Sequence, residues 1–181
     1  KKNVVDPQQI IENYGADTAR FFMLSDSPPG RDMEWSDSGV EGSWRFLNKL
    51  WKFVISLPCK STKDELPVNI SETNKKLLTY LNRTIIDVTK AIDEFHFNIA
   101  VAQIRSLFNL VSSYKIENGN DLKLVRFVTS KLLIIINPMV PHLAEELWFT
   151  LGNKNSISNE CWPKVDLNHV KSDNIKIPVQ I

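Results

Sequence analysis

PPGRDMEWSDSGVEGSWRFLNKLWKFV, residues 28–54, divides the chain in two. Its paired prolines, Pro28 and Pro29, exclude helix, and Gly30 permits a turn. Ser36 and Asp37 then offer an N-cap, and Val40, Trp44, Leu47, Trp51 and Val54 recur at spacings of 4, 3, 4 and 3. This pattern predicts a long helix ending near Leu57 and Pro58, with one apolar stripe that must pack against other helices. Arg45, Lys49 and Lys52 form a different stripe, at spacings of 4 and 3, which presents its cations together on the opposite, wetter side.

Upstream, Asp6 and Pro7 make a good helix opening for QQIIENY, which Gly15 stops. A second segment, ADTARFFMLSD, carries Ala19, Phe22 and Met23 at helical spacing, and Asp17 at its start is placed to cap backbone N–H groups and to pair with Arg20. Downstream, CKSTKDELPVN has loop composition. Ser71 starts a helix with Leu78, Leu81, Ile85, Val88 and Ile92 facing inward as far as Glu94. After a turn at residues 95–98, periodicity resumes through Ala100, Ile104, Leu107, Val111 and Tyr114. A further helix is expected over 121–136, stopped by Pro138, and a last one opens at Pro141 with Leu143, Leu147 and Leu151, ending at Gly152. Four long helices and a shorter one with short connections describe an all-α helical bundle. A short connecting segment precedes it, and the irregular tail over 153–181 closes on the strand-like KIPVQI. No internal repeat or low-complexity segment is present.

The 181 residues suffice for one full-sized helical domain with a short appendage, and 43% hydrophobic content is ordinary for a globular core. The chain opens on Lys1 and Lys2 without an initiator methionine, as expected for a piece of a longer protein. No apolar run reaches the roughly 18 residues that span a bilayer, so no membrane role is expected. Cys59 and Cys161 lack CxxC companions, and His96, His142 and His169 lack metal-ligand spacing. Free thiols and no zinc are expected, which fits a cytoplasmic protein. The net charge of +1 conceals a local excess, since Arg45, Lys49, Lys52, Lys60 and Lys63 lie in a stretch from 44 to 63 without an acid. Such a patch serves phosphate contact or a solvated helix face equally well. Trp44, Trp51 and Trp148 fall beside apolar positions and are expected in the core, whereas Trp35 and Trp162 are less constrained. Glu145 and Glu146 are neighbours pointing about 100° apart on a helix, so they are expected to be surface charges rather than a paired acid–base site.

The segment 28–54 closely resembles the passage from the catalytic half to the helical tRNA-binding half of leucyl-tRNA synthetases. KNVVDPQQIIENYGADTARFFML, residues 2–24, resembles the sequence after the KMSKS catalytic loop in leucyl, valyl and isoleucyl enzymes, and NPMVPHLAEELWFTLG, residues 137–152, resembles the last helix of the helical domain. DMEWSDSGVEGSWRFLNKLW favours the leucyl branch over the valyl and isoleucyl ones.

The resemblance implies a connecting segment over 1–35, an anticodon-binding-type bundle over 36–152 and a tail over 153–181 leading to a further C-terminal domain. It implies a parent enzyme that joins leucine to tRNA(Leu) through a leucyl-adenylate, using ATP and Mg2+, with its HIGH-type motif, leucine pocket and editing domain upstream. This stretch would then hold no catalytic residue and no cofactor. Lys1, Lys2 and Asn3 would be downstream neighbours of the KMSKS loop, with Lys2 standing where relatives often have glycine. The implied partners are tRNA(Leu) and the catalytic, editing and C-terminal domains of the same parent chain. The tRNA-contact candidates are Arg45, Lys49 and Lys52, then Arg20, Arg105, Lys123, Arg126 and Lys131, acting by phosphate neutralisation rather than base reading. A rival from another class is a helical protein-interaction module whose apolar stripes form a docking groove without nucleic-acid binding.

Overall fold

The structure is a computed structural model and describes residues 5–33, 35–58, 66–67 and 70–170. The expectations for Lys1, Lys2, Asn3, Cys59, Lys60, Lys63 and the strand-like 176–181 lie outside these residues. Seven α-helices follow in order: α1 (Pro7–Tyr14), α2 (Ala16–Asp26), α3 (Asp37–Ser56), α4 (Glu72–Asp93), α5 (Phe97–Ser112), α6 (Gly119–Ile136) and α7 (Pro141–Thr150). Short 3-10 turns at Ile157–Asn159 and Leu167–His169 follow α7, and the described residues contain no strand.

Local chemistry sets the helix starts. Asp6 accepts from Gln8 N at α1, Ser36 from Gly39 N at α3, and Ser71 from Asn74 N at α4. Asn118 accepts from the N–H groups of Asn120 and Asp121, so α6 begins at Gly119, ahead of the expected Asp121. This helix is the spine of the bundle. Leu124, Val125, Val128 and the run from Leu132 to Ile136 are all buried, and that last run is apolar all round. Helices α4, α5 and α7 pack on it, while α3 packs on α2 and α7.

Two faces differ from the periodicity reading. On α2 the buried residues are Phe21 and Phe22 with Asp17 and Thr18, whereas Met23 is 55% exposed. On α3 the buried row is Val40, Ser43, Phe46, Leu47, Leu50 and Val54, while Trp51 is half-buried and Trp44 is 42% exposed. The cause is the aromatic contact between helices. The Phe21 ring stacks on Phe46 at 5.1 Å, and Phe46 meets Phe108 of α5 edge-on at 5.4 Å. These rings turn Phe46 inward and carry Trp44 round to the surface, where it meets Tyr14 edge-on. Gly39 makes the close approach of α3 to α2 possible, because a Cβ there would lie 2.6 Å from Phe22 Cε2.

The expected pairing of Asp17 with Arg20 inside α2 is replaced by long-range bonds. Asp17 Oδ2 accepts from Leu143 N at 2.7 Å, and its Oδ1 lies 2.8 Å from His142 Nδ1. The residue at the start of α7, Val140, has no capping side chain of its own, so a carboxylate from another helix caps α7 and meets the positive end of its dipole. Arg20 donates to the carbonyls of Pro138 and Met139, just past the end of α6, which is the negative end of that helix.

Arg126, read from sequence as a surface cation, is 3% exposed. It donates to Pro58 O and, at 2.7 Å, to Leu151 O, which ties α6 to the ends of α3 and α7. Glu145 is also more than a surface charge, since it accepts from the Ser156 hydroxyl at 3.0 Å and Ile157 N at 3.1 Å. Beyond α7 the chain turns back onto α4. Trp162 donates to Thr89 Oγ1 at 2.8 Å, and Asp166 N to Asn82 Oδ1 at 2.7 Å. Cys161 is an exposed free thiol.

Replacing Asp17 by Ala is expected to lower unfolding free energy by about 2 kcal/mol, through loss of a cap and exposure of unmet N–H groups. His142→Ala, at an exposed site, is expected to cost less than about 1 kcal/mol. In the same urea titrations Arg126→Ala is expected to cost about 3 kcal/mol by leaving the buried Leu151 carbonyl unpaired and untying α6 from the ends of α3 and α7, against about 0.5 kcal/mol or less for Lys123→Ala.

Candidate nucleic-acid interface

Helix α3 places its cations by simple rotation. Trp44, Asn48 and Trp51 line an open groove of about 290 Å³ together with Tyr14, Thr18 and Leu143. Arg45, Lys49 and Lys52 each follow one of these groove residues by a single position, so the basic stripe runs alongside the groove about 100° further round. All three are exposed, as expected from the sequence.

Their electrostatics differ. Arg45 Nη1 lies 2.9 Å from Glu41 Oε2, which offsets much of its charge. Lys49 and Lys52 have no carboxylate partner among the described residues. Lys123 is likewise exposed on α6. Lys131 is half-buried, with Nζ 5.3 Å from the centroid of the Phe127 ring on the wall of a cavity of about 80 Å³. Arg20 is exposed but holds the α6–α7 corner, and Arg126 is internal. Arg105 is partly buried against the rings of Phe21 and Phe46, and burial lowers its pKa.

The candidates therefore do not form one surface. Lys49, Lys52 and, in part, Arg45 make a row able to neutralise successive phosphates of a nucleic-acid backbone without reading bases. The aromatic groove beside them escapes a reading by periodicity, which assigns Trp44 and Trp51 to the core. The row Ser43, Phe46 and Leu50 carries the competing signal, because its spacing of 3 and 4 is equally helical. The remaining tryptophans have internal partners: Trp35 donates to Asp37, Trp148 to Asn155 O and Trp162 to Thr89. Among the described residues, no group of three His, Cys, Asp or Glu side chains is placed to hold a metal ion.

Residues 74–180 match the anticodon-binding domain of tRNA ligase, and residues 1–36 match the class I tRNA synthetases (I, L, M and V). Over its whole length the chain is 39% identical to leucine–tRNA ligase of Paramagnetospirillum magneticum and 42% identical to that of Maricaulis maris, covering 21% of each. It thus spans about a fifth of the length of these relatives. The crystal structure of the ternary LeuRS–tRNA–LeuAMS complex of Agrobacterium radiobacter superposes with a TM-score of 0.79 at 26% identity, over 96% of this chain and 22% of that one. With its helical bundle, its α2–α3 passage and its full-length similarity to leucine–tRNA ligases, the chain belongs to the anticodon-binding-domain family of tRNA ligases, in the leucyl branch of class I.

Proposed function

We propose that this chain binds and positions tRNA(Leu) within a leucine–tRNA ligase, gripping the tRNA backbone along α3. The observation that carries this reading is the exposed row of Lys49 and Lys52, free of carboxylate partners among the described residues, with Arg45 beside them. The similar Agrobacterium complex contains tRNA, which supports the same partner here. Backbone grip turns binding energy into orientation, holding the acceptor end near a distant active site during aminoacyl transfer. Residues 1–35 serve as the connection from the catalytic loop, 36–152 as the bundle and 153–181 as the lead to a further domain.

The parent enzyme is proposed to act in the cytoplasm and to attach leucine to tRNA(Leu) through a leucyl-adenylate, with ATP and Mg2+ held by its catalytic part. Within this chain the work is mechanical and electrostatic. Lys49 and Lys52 neutralise phosphate charge, while Arg20 and Asp17 fix the α6–α7 corner on which the bundle's attachment to the connecting segment depends. Arg45 contributes at the margin of the surface. No helix of the described residues is long and apolar enough to cross a membrane.

Reversing charge at Lys49 and Lys52 together is expected to weaken tRNA binding and to flatten the plot of log K against log salt by roughly 0.7–0.9 for each phosphate that is no longer neutralised. The measurement is a salt titration of tRNA affinity, with a neutral polymer as the control competitor. An unchanged slope removes the phosphate-binding reading, and equal competition by the neutral polymer favours a protein-interaction module instead.

A further inference from the structure

Arg105 is the sole charged residue of α5, and it is held in an unusual way. Its guanidinium carbon lies 5.1 Å from the Phe21 ring centroid and 5.0 Å from that of Phe46, two rings that are themselves stacked with an interplanar angle of 5°. Its Nε is sealed from solvent with no hydrogen-bond partner among the described residues. The terminal nitrogens are not sealed as Nε is, and they make no hydrogen bond or ion pair with the described residues. Arginine stays charged at neutral pH even where burial lowers its pKa. The result is a cation of fixed orientation whose donors are unused.

Its surroundings keep acids away. Helix α5 contains no carboxylate, Asp17 of α2 is bonded to His142 and Leu143, and Glu41 of α3 is bonded to Arg45. Phe46, one of the two supporting rings, lies on the same α3 face as Gly42 a turn earlier, where no side chain projects and a Cβ would meet nothing within 4 Å. Lys49 follows Phe46 by three positions and stands one turn along on the adjoining row, at the edge of the basic stripe. Bare backbone at Gly42, the planar fork of Arg105 and the exposed ammonium of Lys49 are thus all set about the Phe46 flank of α3.

We propose that Arg105 is the fixed phosphate anchor of the interface, its two terminal nitrogens donating together to one backbone phosphate of the tRNA while Lys49 neutralises a neighbouring one. A guanidinium matches the paired oxygens of a phosphate, and its rigid hold on the two rings removes the ordering cost that a lysine on a flexible stem must meet on binding. This assignment rests on the tRNA-binding reading above and gives it a defined centre.

The test compares wild type, Arg105→Met, Arg105→Lys and the double reversal at Lys49 and Lys52, by tRNA affinity across a salt series, with urea midpoints recorded for each. Arg105→Met, which still fills the space on the rings, is expected to lose about tenfold in affinity and to lower the salt slope by roughly 0.7–0.9. Arg105→Lys is expected to restore the slope but not the affinity, because a point charge lacks the fork. A merely structural arginine moves the urea midpoint and leaves the slope alone, so an unchanged slope in a folded Arg105→Met protein overturns the anchor. If the double reversal still weakens binding in that case, the tRNA reading survives without it. Should Arg105→Met fail to fold, wild-type affinity in Arg105→Lys overturns the anchor. If wild type itself shows no preference for tRNA over a neutral polymer, both fall together.

Discussion

A carboxylate withdrawn from water needs donors, and Asp17 finds them only at the start of α7. One turn of α2 thereby complements two helix dipoles, with Asp17 against the positive end of α7 and Arg20 against the negative end of α6. The sharp corner at residues 137–141 is held from both sides. Once α7 is fixed, Arg126 can reach its far end and the end of α3 together, so the outer helices are tied to the α6 spine by charge as well as by apolar packing. The orientation of α3, and with it the direction in which Lys49 and Lys52 point, follows from these ties and from the stacked rings of Phe21 and Phe46.

The cations separate by chemistry. Arg20, Arg105 and Arg126 are engaged with carbonyls or aromatic faces of the protein, and Arg45 is bound to Glu41, whereas Lys49, Lys52 and Lys123 face water. The guanidinium is weakly hydrated and planar, which suits it to fixed internal contacts, and the ammonium is strongly hydrated on a flexible stem. In this bundle arginine builds the scaffold and lysine supplies most of the exposed field. Arg105 stands at the boundary between the two uses.

Much of the fold is legible in the sequence because it is local. The caps at Asp6, Ser36 and Ser71, the proline at the start of α7 and the helical spacing on α4 and α5 are each decided within a few residues. The parts that are not legible depend on distance in sequence. Periodicity locates α3 but cannot choose between the adjoining rows through Trp44 and Phe46, since that choice is made by Phe21 and Phe108 on other helices. Arg126 reads as exposed because an arginine is rarely buried unless paired, and its partners at Pro58 and Leu151 lie in other elements. Asp17 and Arg20 look like a local pair at helical spacing, yet each reaches more than 100 residues along the chain. The basic row is visible as exposed charge, because solvent tolerates a cation without needing any tertiary partner.

The borrowed cap on α7 also bears on how the molecule is made. A helix of 10 residues is too short to persist alone in water, and this one has no capping side chain at its own start. During synthesis Asp17 emerges early and its partner Leu143 emerges 126 residues later. Until then the carboxylate lacks those donors, so α2 gains its full set of partners only once α7 has been made. The full set of native contacts thus waits on α7, a helix made more than 100 residues after the α2 that it joins.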